Sequence, residues 1–106
     1  MSDDTTTPPC AYIVANLVIE DRERYREYEK GFFAIFKKHG GEFLTFDDAP
    51  FTFEGAAPRE GRMIVARFPS EAAARAWYAD ADYQAISEHR RAATRLEFLT
   101  LVRGLG

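Results

Sequence analysis

Cysteine is almost missing from this chain: Cys10 is the only one among 106 residues. No internal disulfide can form, and the composition fits a cytoplasmic protein better than a disulfide-stapled one. Cys10 has no histidine or second cysteine nearby in sequence, so it reads as a tolerated thiol rather than a nucleophile or ligand. Histidine is nearly as scarce, with His39 and His89 the only two. They lie far apart and form no His-x-x-x-His pair, so the sequence assigns no metal site. A glycine-rich phosphate loop, a dinucleotide fingerprint and a nucleophile elbow are all lacking, and no cofactor is expected.

Long apolar runs are missing too. The longest, "AYIVA" at 11–15, is far too short to cross a bilayer, so no membrane partner is expected. Residues 1–10, "MSDDTTTPPC", carry neither a basic nor an apolar leader segment and read as a polar, flexible tail. Basic blocks are absent: 14 Lys and Arg stand against 17 Asp and Glu, a net charge of -3. That balance argues against a nucleic-acid surface.

What the chain does have is apolar bulk. Hydrophobic residues make up 46% and aromatics 14%, enough for one globular domain over residues 11–106 with a modest core. "AYIVANLVI" at 11–19 reads as a strand. Asp21 can cap a helix whose apolar stripe takes in Tyr25, Tyr28, Phe32, Ile35, Phe36 and His39. Gly40 and Gly41 end it. "EFLTF" is a second strand, "DDAP" a turn, and "FTFEG" at 51–55 a candidate hairpin arm. "RMIVARF" at 62–68 is a third strand. Ser70 caps "EAAARAWYA", and Asp82 is the expected cap of a helix through "YQAISEHRRAAT" at 83–94. "LEFLTLV" at 96–102 is the last strand.

The order β-α-β-(β)-β-α-α-β predicts an α+β, ferredoxin-like sandwich: a four-stranded antiparallel sheet, plus the candidate arm, with helices on one face. Strand alternation sorts the two faces. Ile13, Ala15, Leu17, Ile64, Ala66, Phe68, Leu99 and Leu101 suit helix packing. Tyr12, Val14, Asn16, Val65, Arg67, Leu96, Phe98 and Thr100 form a more spotted face. An apolar sheet face needs cover, and a second copy is the expected partner, giving a homodimer through that face. Asn16 and Arg67 on it either line a small-molecule pocket or meet water at strand ends.

The segments "AYIVANLVIEDRERYREY", "HGGEFL", "FEG", "RMIVARFPSEAAARAWYADADYQA" and Arg90-x-Ala92 follow one pattern in order. By that pattern the chain resembles the domain-of-unknown-function 1330 family, within the dimeric α+β barrel superfamily, over residues 11–104. The resemblance implies a ferredoxin-like protomer whose dimer packs sheet against sheet into a barrel. The wider superfamily includes monooxygenases that use no metal or flavin, isomerases, haem-degrading members and proteins without known activity. It therefore speaks to fold and dimer more than to chemistry.

The candidate site is a polar-aromatic set. His39 and Tyr28 are the candidate catalytic residues, as imidazole and phenol for proton transfer. Asn16, Arg67, Trp77, Tyr83 and Arg90 are candidate ligand contacts, arginine being suited to clamp a carboxylate or enolate. Together they suit a small aromatic or keto-acid-like molecule and acid/base or cofactor-free oxygenation chemistry. The alternative is a structural or regulatory dimer without activity, in which each of these residues is packing.

Arg90 poses the sharpest question. It falls in the middle of the stripe formed by Tyr83, Ile86 and Ala93, a permanent cation pointed at the core. The expectation is a clasp to Asp21, Glu54, Glu97 or to backbone carbonyls, with an anionic ligand as the other candidate partner.

Overall fold

The structure is a computed structural model, and it describes residues 9–105. The flexible tail expected at residues 1–10 lies almost wholly outside the described residues. Strand β1 (Ala11–Ile19) leads into helix α1 (Arg22–Lys38), then β2 (Glu42–Asp47), β3 (Arg62–Phe68), α2 (Glu71–Ala79), α3 (Ala81–Ala93) and β4 (Thr94–Arg103). The strands form one antiparallel sheet in the order β2-β3-β1-β4, which is the ferredoxin-like order. The helices cover one face only, and the protein is 17 Å thick along its short axis. That is room for one sheet and one helical layer.

Local chemistry sets the ends of these elements. The Asp21 carboxylate accepts from Arg24 N at 3.0 Å and opens α1. Gly40, at φ 80°, takes the left-handed turn that closes it. Gly41 follows with its backbone against the Phe36 ring, where a Cβ would come within 2.6 Å of a ring carbon. Ser70 caps α2 through Ala73 N. The α2–α3 junction differs from expectation. Asp80, not Asp82, caps α3, accepting from Asp82 N at 2.8 Å and Tyr83 N at 3.4 Å, and the helix starts two residues earlier. "FTFEG" adds no strand. Residues 48–61 form a long connection in which Phe51 and Phe53 meet edge to face with ring centres 5.0 Å apart and stand 78% and 89% exposed.

Two β-bulges shape the sheet. On β4 the register shifts opposite Asn16/Leu17, so that Asn16 faces Phe98 but Leu17 faces Leu96. The extra residue turns Leu96 to the same side as Leu99, where both border one hollow with Arg90. Simple alternation puts Leu96 on the opposite face; a bulge reverses every side chain beyond it. On β2 the shift falls between Phe43 and Thr45, and it turns both Phe43 and Phe46 toward the helices. The core lies between sheet and helices, with Ile13, Leu17, Phe36, Phe68, Trp77 and Tyr83 at its centre. Gly31 of α1 lets Ile86 of α3 approach so closely that a Cβ would meet it at 3.0 Å.

The other sheet face has no second layer among the described residues. Val14, Val65 and Thr100 lie side by side on it, as do Asn16, Met63 and Phe98. No helix among the described residues is long and apolar enough to cross a membrane.

Candidate functional site

The residues turned by the β2 bulge and the aromatic stripe of α1 border a cavity of about 200 Å³ between helices and sheet. Its floor is Ala15, Ile64 and Ala66, where short side chains leave room. Its walls are mostly rings, with Phe32 stacked on Phe43 at 5.5 Å and Phe36 4.8 Å from Phe43. The volume matters. An empty apolar space of about 150 Å³ accepts a benzene-sized guest, so this one has room for a single ring with a small substituent.

The polar groups on the wall are few and connected. Tyr28 of α1 and Tyr83 of α3 share a hydrogen bond between their hydroxyls at 2.8 Å, both buried. Burial, and then the neighbouring Tyr83, push the Tyr28 phenol well above its ordinary range. Tyr25, next along the stripe, is pushed up to about 12, chiefly by burial. These phenols are neutral near pH 7 and can donate hydrogen bonds, but they are not resident bases. Trp77 lies against Tyr83 with ring centres 4.3 Å apart, and its indole N–H has no partner among the described residues. The guanidinium carbon of Arg90 sits 5.7 Å from the centre of the Tyr28 ring.

Arg90 is 2% exposed, and its Nε has no hydrogen-bond partner among the described residues. No carboxylate there pairs with it either: Asp21 caps its own helix and Glu97 pairs with Arg59 and Arg95. The expected clasp to a carboxylate is therefore not formed, and the face of Tyr28 is what meets the charge. A buried cation in this state costs several kcal/mol relative to a paired one.

The rim is different. Arg62 opens β3, and only 15% of its side chain is exposed. Its Nε donates to Asp48 at 2.7 Å and a second nitrogen to the other oxygen at 3.2 Å. Glu29 of α1 stands 3.7 Å away, and the guanidinium covers the Phe46 ring at 4.8 Å. The Asp48 hydrogen bond raises the arginine further and holds the aspartate below its usual range. Arg62 thus straps the long connection to α1 beside the cavity. Sequence reasoning passes over it because an arginine at the first position of a strand looks solvated.

The remaining candidates lie elsewhere. His39 does not border the cavity. Its Nε2 is 2.8 Å from Asp80 Oδ2, which also receives Lys38 Nζ at 2.9 Å. His39 and Lys38 hold the Asp80 carboxyl well below its usual range, so one side chain ties the end of α1 to the start of α3. Asn16 and Arg67 belong to the face away from the helices. The Asn16 amide donates to the carbonyls of Glu60 and Arg62 and fixes the returning loop. Arg67 pairs with Glu42 across β3 and β2. The structure therefore brings Tyr28, Trp77, Tyr83 and Arg90 together and leaves His39, Asn16 and Arg67 outside. No cluster of three or more metal-ligating side chains occurs among the described residues.

Fold and site together define an α+β protein of the ferredoxin-like class with a small, mostly apolar cavity under its helices. The chain belongs to the family described as Domain of unknown function (DUF1330), whose pattern matches residues 10–105. No curated protein sequence matches it. Among solved structures it is similar to RPA0582 from Rhodopseudomonas palustris, a protein of unknown function, at 19% identity and a TM-score of 0.71, over 90% of this chain and 80% of that one. It is also similar to SnoaB from Streptomyces nogalater, a cofactor-independent oxygenase, at 16% identity and a TM-score of 0.61, over 89% and 91%. HapK from Hahella chejuensis is similar at 14% identity and a TM-score of 0.57, over 91% and 93%. At these identities the likeness establishes the shared fold.

Proposed function

We propose that the protein binds a small organic molecule of one-ring size in the cavity beneath α1 and α3. The observation that carries this reading is the connected wall of Tyr28, Tyr83, Trp77 and Arg90 on an otherwise apolar space. Convergent polar groups in a greasy pocket are the composition of a ligand site. One hydroxyl of the Tyr28–Tyr83 pair donates to the other, and the remaining O–H is the donor that stabilises charge developing on a substrate oxygen, with Arg90 balancing it. That is the equipment for holding an enolisable or phenolic substrate in its anionic form, with the phenols as donors and not as the base. The fold shared with a cofactor-independent oxygenase is in keeping with metal-free, flavin-free chemistry of the same class. His39, Asn16 and Arg67 serve the framework in this reading. A purely structural or regulatory dimer would need no such space, and the cavity counts against it.

The working unit in this reading is a homodimer. Val14, Met63, Val65 and Phe98 form an apolar sheet face with no covering layer among the described residues, and the exposed pair Phe51–Phe53 adds to the apolar surface. A second copy of the same face would bury it at the size of a stable interface. Light scattering should give twice the 12.1 kDa chain mass, and a monomer at micromolar concentration would refute the dimer.

Cavity binding is tested with p-cresol, a one-ring neutral phenol. Trp77 is the chain's only tryptophan and borders the cavity, so its emission reports occupancy directly. Saturable quenching is expected in the wild type and not in Ala15→Leu, which fills the floor. No saturable change in the wild type, or an unchanged one in Ala15→Leu, would remove the cavity from consideration.

A further inference from the structure

Two residues of the cavity wall each carry a buried donor without a partner. Arg90 Nε and Trp77 Nε1 are both buried and both without a partner among the described residues, and both residues border the same cavity. They are 2% and 3% exposed, so bulk water does not serve them in place of a partner. Two unsatisfied buried donors, one of them on a charged side chain, are a standing cost. A core of this kind would be more stable with an apolar side chain in place of the arginine.

The charge count of the cavity points the same way. One acidic and two basic side chains border it: Glu29, Arg62 and Arg90. Arg62 is neutralised by Asp48, with Glu29 close by. Among the described residues Arg90 is then the one basic side chain on this wall without a carboxylate beside it, the nearest acid of the wall, Glu29, standing against Arg62. Arg90 also borders a second, open hollow with Tyr78, Arg91 and Thr94. Its guanidinium nevertheless lies over Tyr28, which lines the first cavity and not that hollow.

We infer that the molecule this cavity takes is a monoanion: a one-ring carboxylate, or an enolate or phenolate of that size, with its anionic oxygen on Arg90. This inference rests on the cavity-binding reading above and adds the charge and size of the guest. The oxygen accepts from Arg90 Nε, the indole N–H of Trp77 is the second donor offered to it, and the ring lies among Phe32, Phe43 and Phe36. The Tyr28–Tyr83 pair then stands beside the ligand's acidic end, where a neutral phenol strengthens as a donor when negative charge builds up. A neutral ligand of the same shape satisfies the donors only in part and leaves the arginine charge uncompensated. A cation is repelled. Because a site that must pair a buried group rejects analogues that cannot pair it, the discrimination should be steep.

The test compares benzoate with benzamide, which share shape and differ in charge, by titrating Trp77 emission at neutral pH. The wild type should bind benzoate at least 10-fold more tightly than benzamide. Arg90→Met should keep benzamide binding and lose the preference. Arg90→Lys, which keeps the charge but not the Nε–H, should retain part of it and serves if the methionine variant fails to fold. Equal binding of the two ligands by the wild type would overturn the anion assignment while leaving the cavity as a neutral site. A preference that persists unchanged in both Arg90 variants would overturn the role of Arg90. Absence of binding by benzoate, benzamide and p-cresol alike would overturn the cavity reading itself.

Discussion

Arg62 and Arg90 border the same cavity, and their surroundings are opposite. Arg62 has two bonds to Asp48, Glu29 at 3.7 Å and an aromatic face. Arg90, more deeply buried, has the aromatic face and no anion among the described residues. The first arrangement explains itself: a strand-end arginine holds a long connection against a helix, and the fold needs nothing more. The second does not. A protein that keeps a buried cation without an anion is bearing a cost the fold alone does not require, and sites of ligand recognition are where such costs are kept. The contrast sets a paired, structural charge beside one whose partner, in the proposal above, is the ligand.

The strongest way to sharpen the comparison is through the phenols that lie between the two arginines. Tyr83→Phe leaves the Tyr28 hydroxyl buried without its partner and should cost about 1–3 kcal/mol. The double variant Tyr28→Phe/Tyr83→Phe removes both hydroxyls and should recover most of that loss. A double variant no more stable than the sum of the two singles would show that the pair is not coupled.

Arg62→Met comes next. Part of its ion pairing faces water, so the expected loss is about 1 kcal/mol, seen in urea melts, with faster proteolysis in the 48–61 connection. An effect as small as that of Arg91→Met, a surface change of under about 0.5 kcal/mol, would mean that the strap does not hold.

The Asp80 junction gives a smaller effect, visible only in acid. Its carboxyl is held below the ordinary value in the folded chain and is ordinary in the unfolded one, so the unfolded state takes up the proton first. The stability it contributes is present above about pH 4 and is lost as pH falls below that value. Asp80→Asn should therefore lower the melting midpoint at pH 7 and flatten its decline between about pH 5 and pH 2. Parallel acid limbs in wild type and variant would argue against the His39–Asp80–Lys38 tie.

These residues also mark how far the sequence can be read. The four strands and the helices are legible, because "AYIVANLVI", "RMIVARF" and the Tyr25–Phe36 stripe each keep one clear period, and Asp21 and Ser70 cap where such residues should. Arg90 is legible as buried for the same reason. What eludes the pattern depends on contacts distant in sequence. The Tyr28–Tyr83 bond spans 55 positions. The bulge that turns Leu96 inward is set by how β4 meets β1, and its own sequence carries no glycine to announce it. Asp80 and Asp82 are equally plausible caps until the carboxylate that also meets His39 is known. "FTFEG" alternates like a strand, yet β2 pairs only with β3 and the segment joins neither, so its aromatics stay exposed. Whether Arg90 has a partner cannot be read at all, since burial follows from periodicity but pairing follows from three-dimensional position.

Among the described residues Arg90 has no anionic partner and Arg62 has one, and denaturant melts of two methionine variants test this contrast directly. With no ligand added, Arg62→Met should be less stable than the wild type. Arg90→Met should equal it or exceed it, by up to about 1–4 kcal/mol, because an apolar chain of similar length replaces an uncompensated charge. If Arg90→Met instead lost about 3–5 kcal/mol, the value for breaking a buried pair, Arg90 would be a structural clasp after all and its role as an anion receptor would be contradicted.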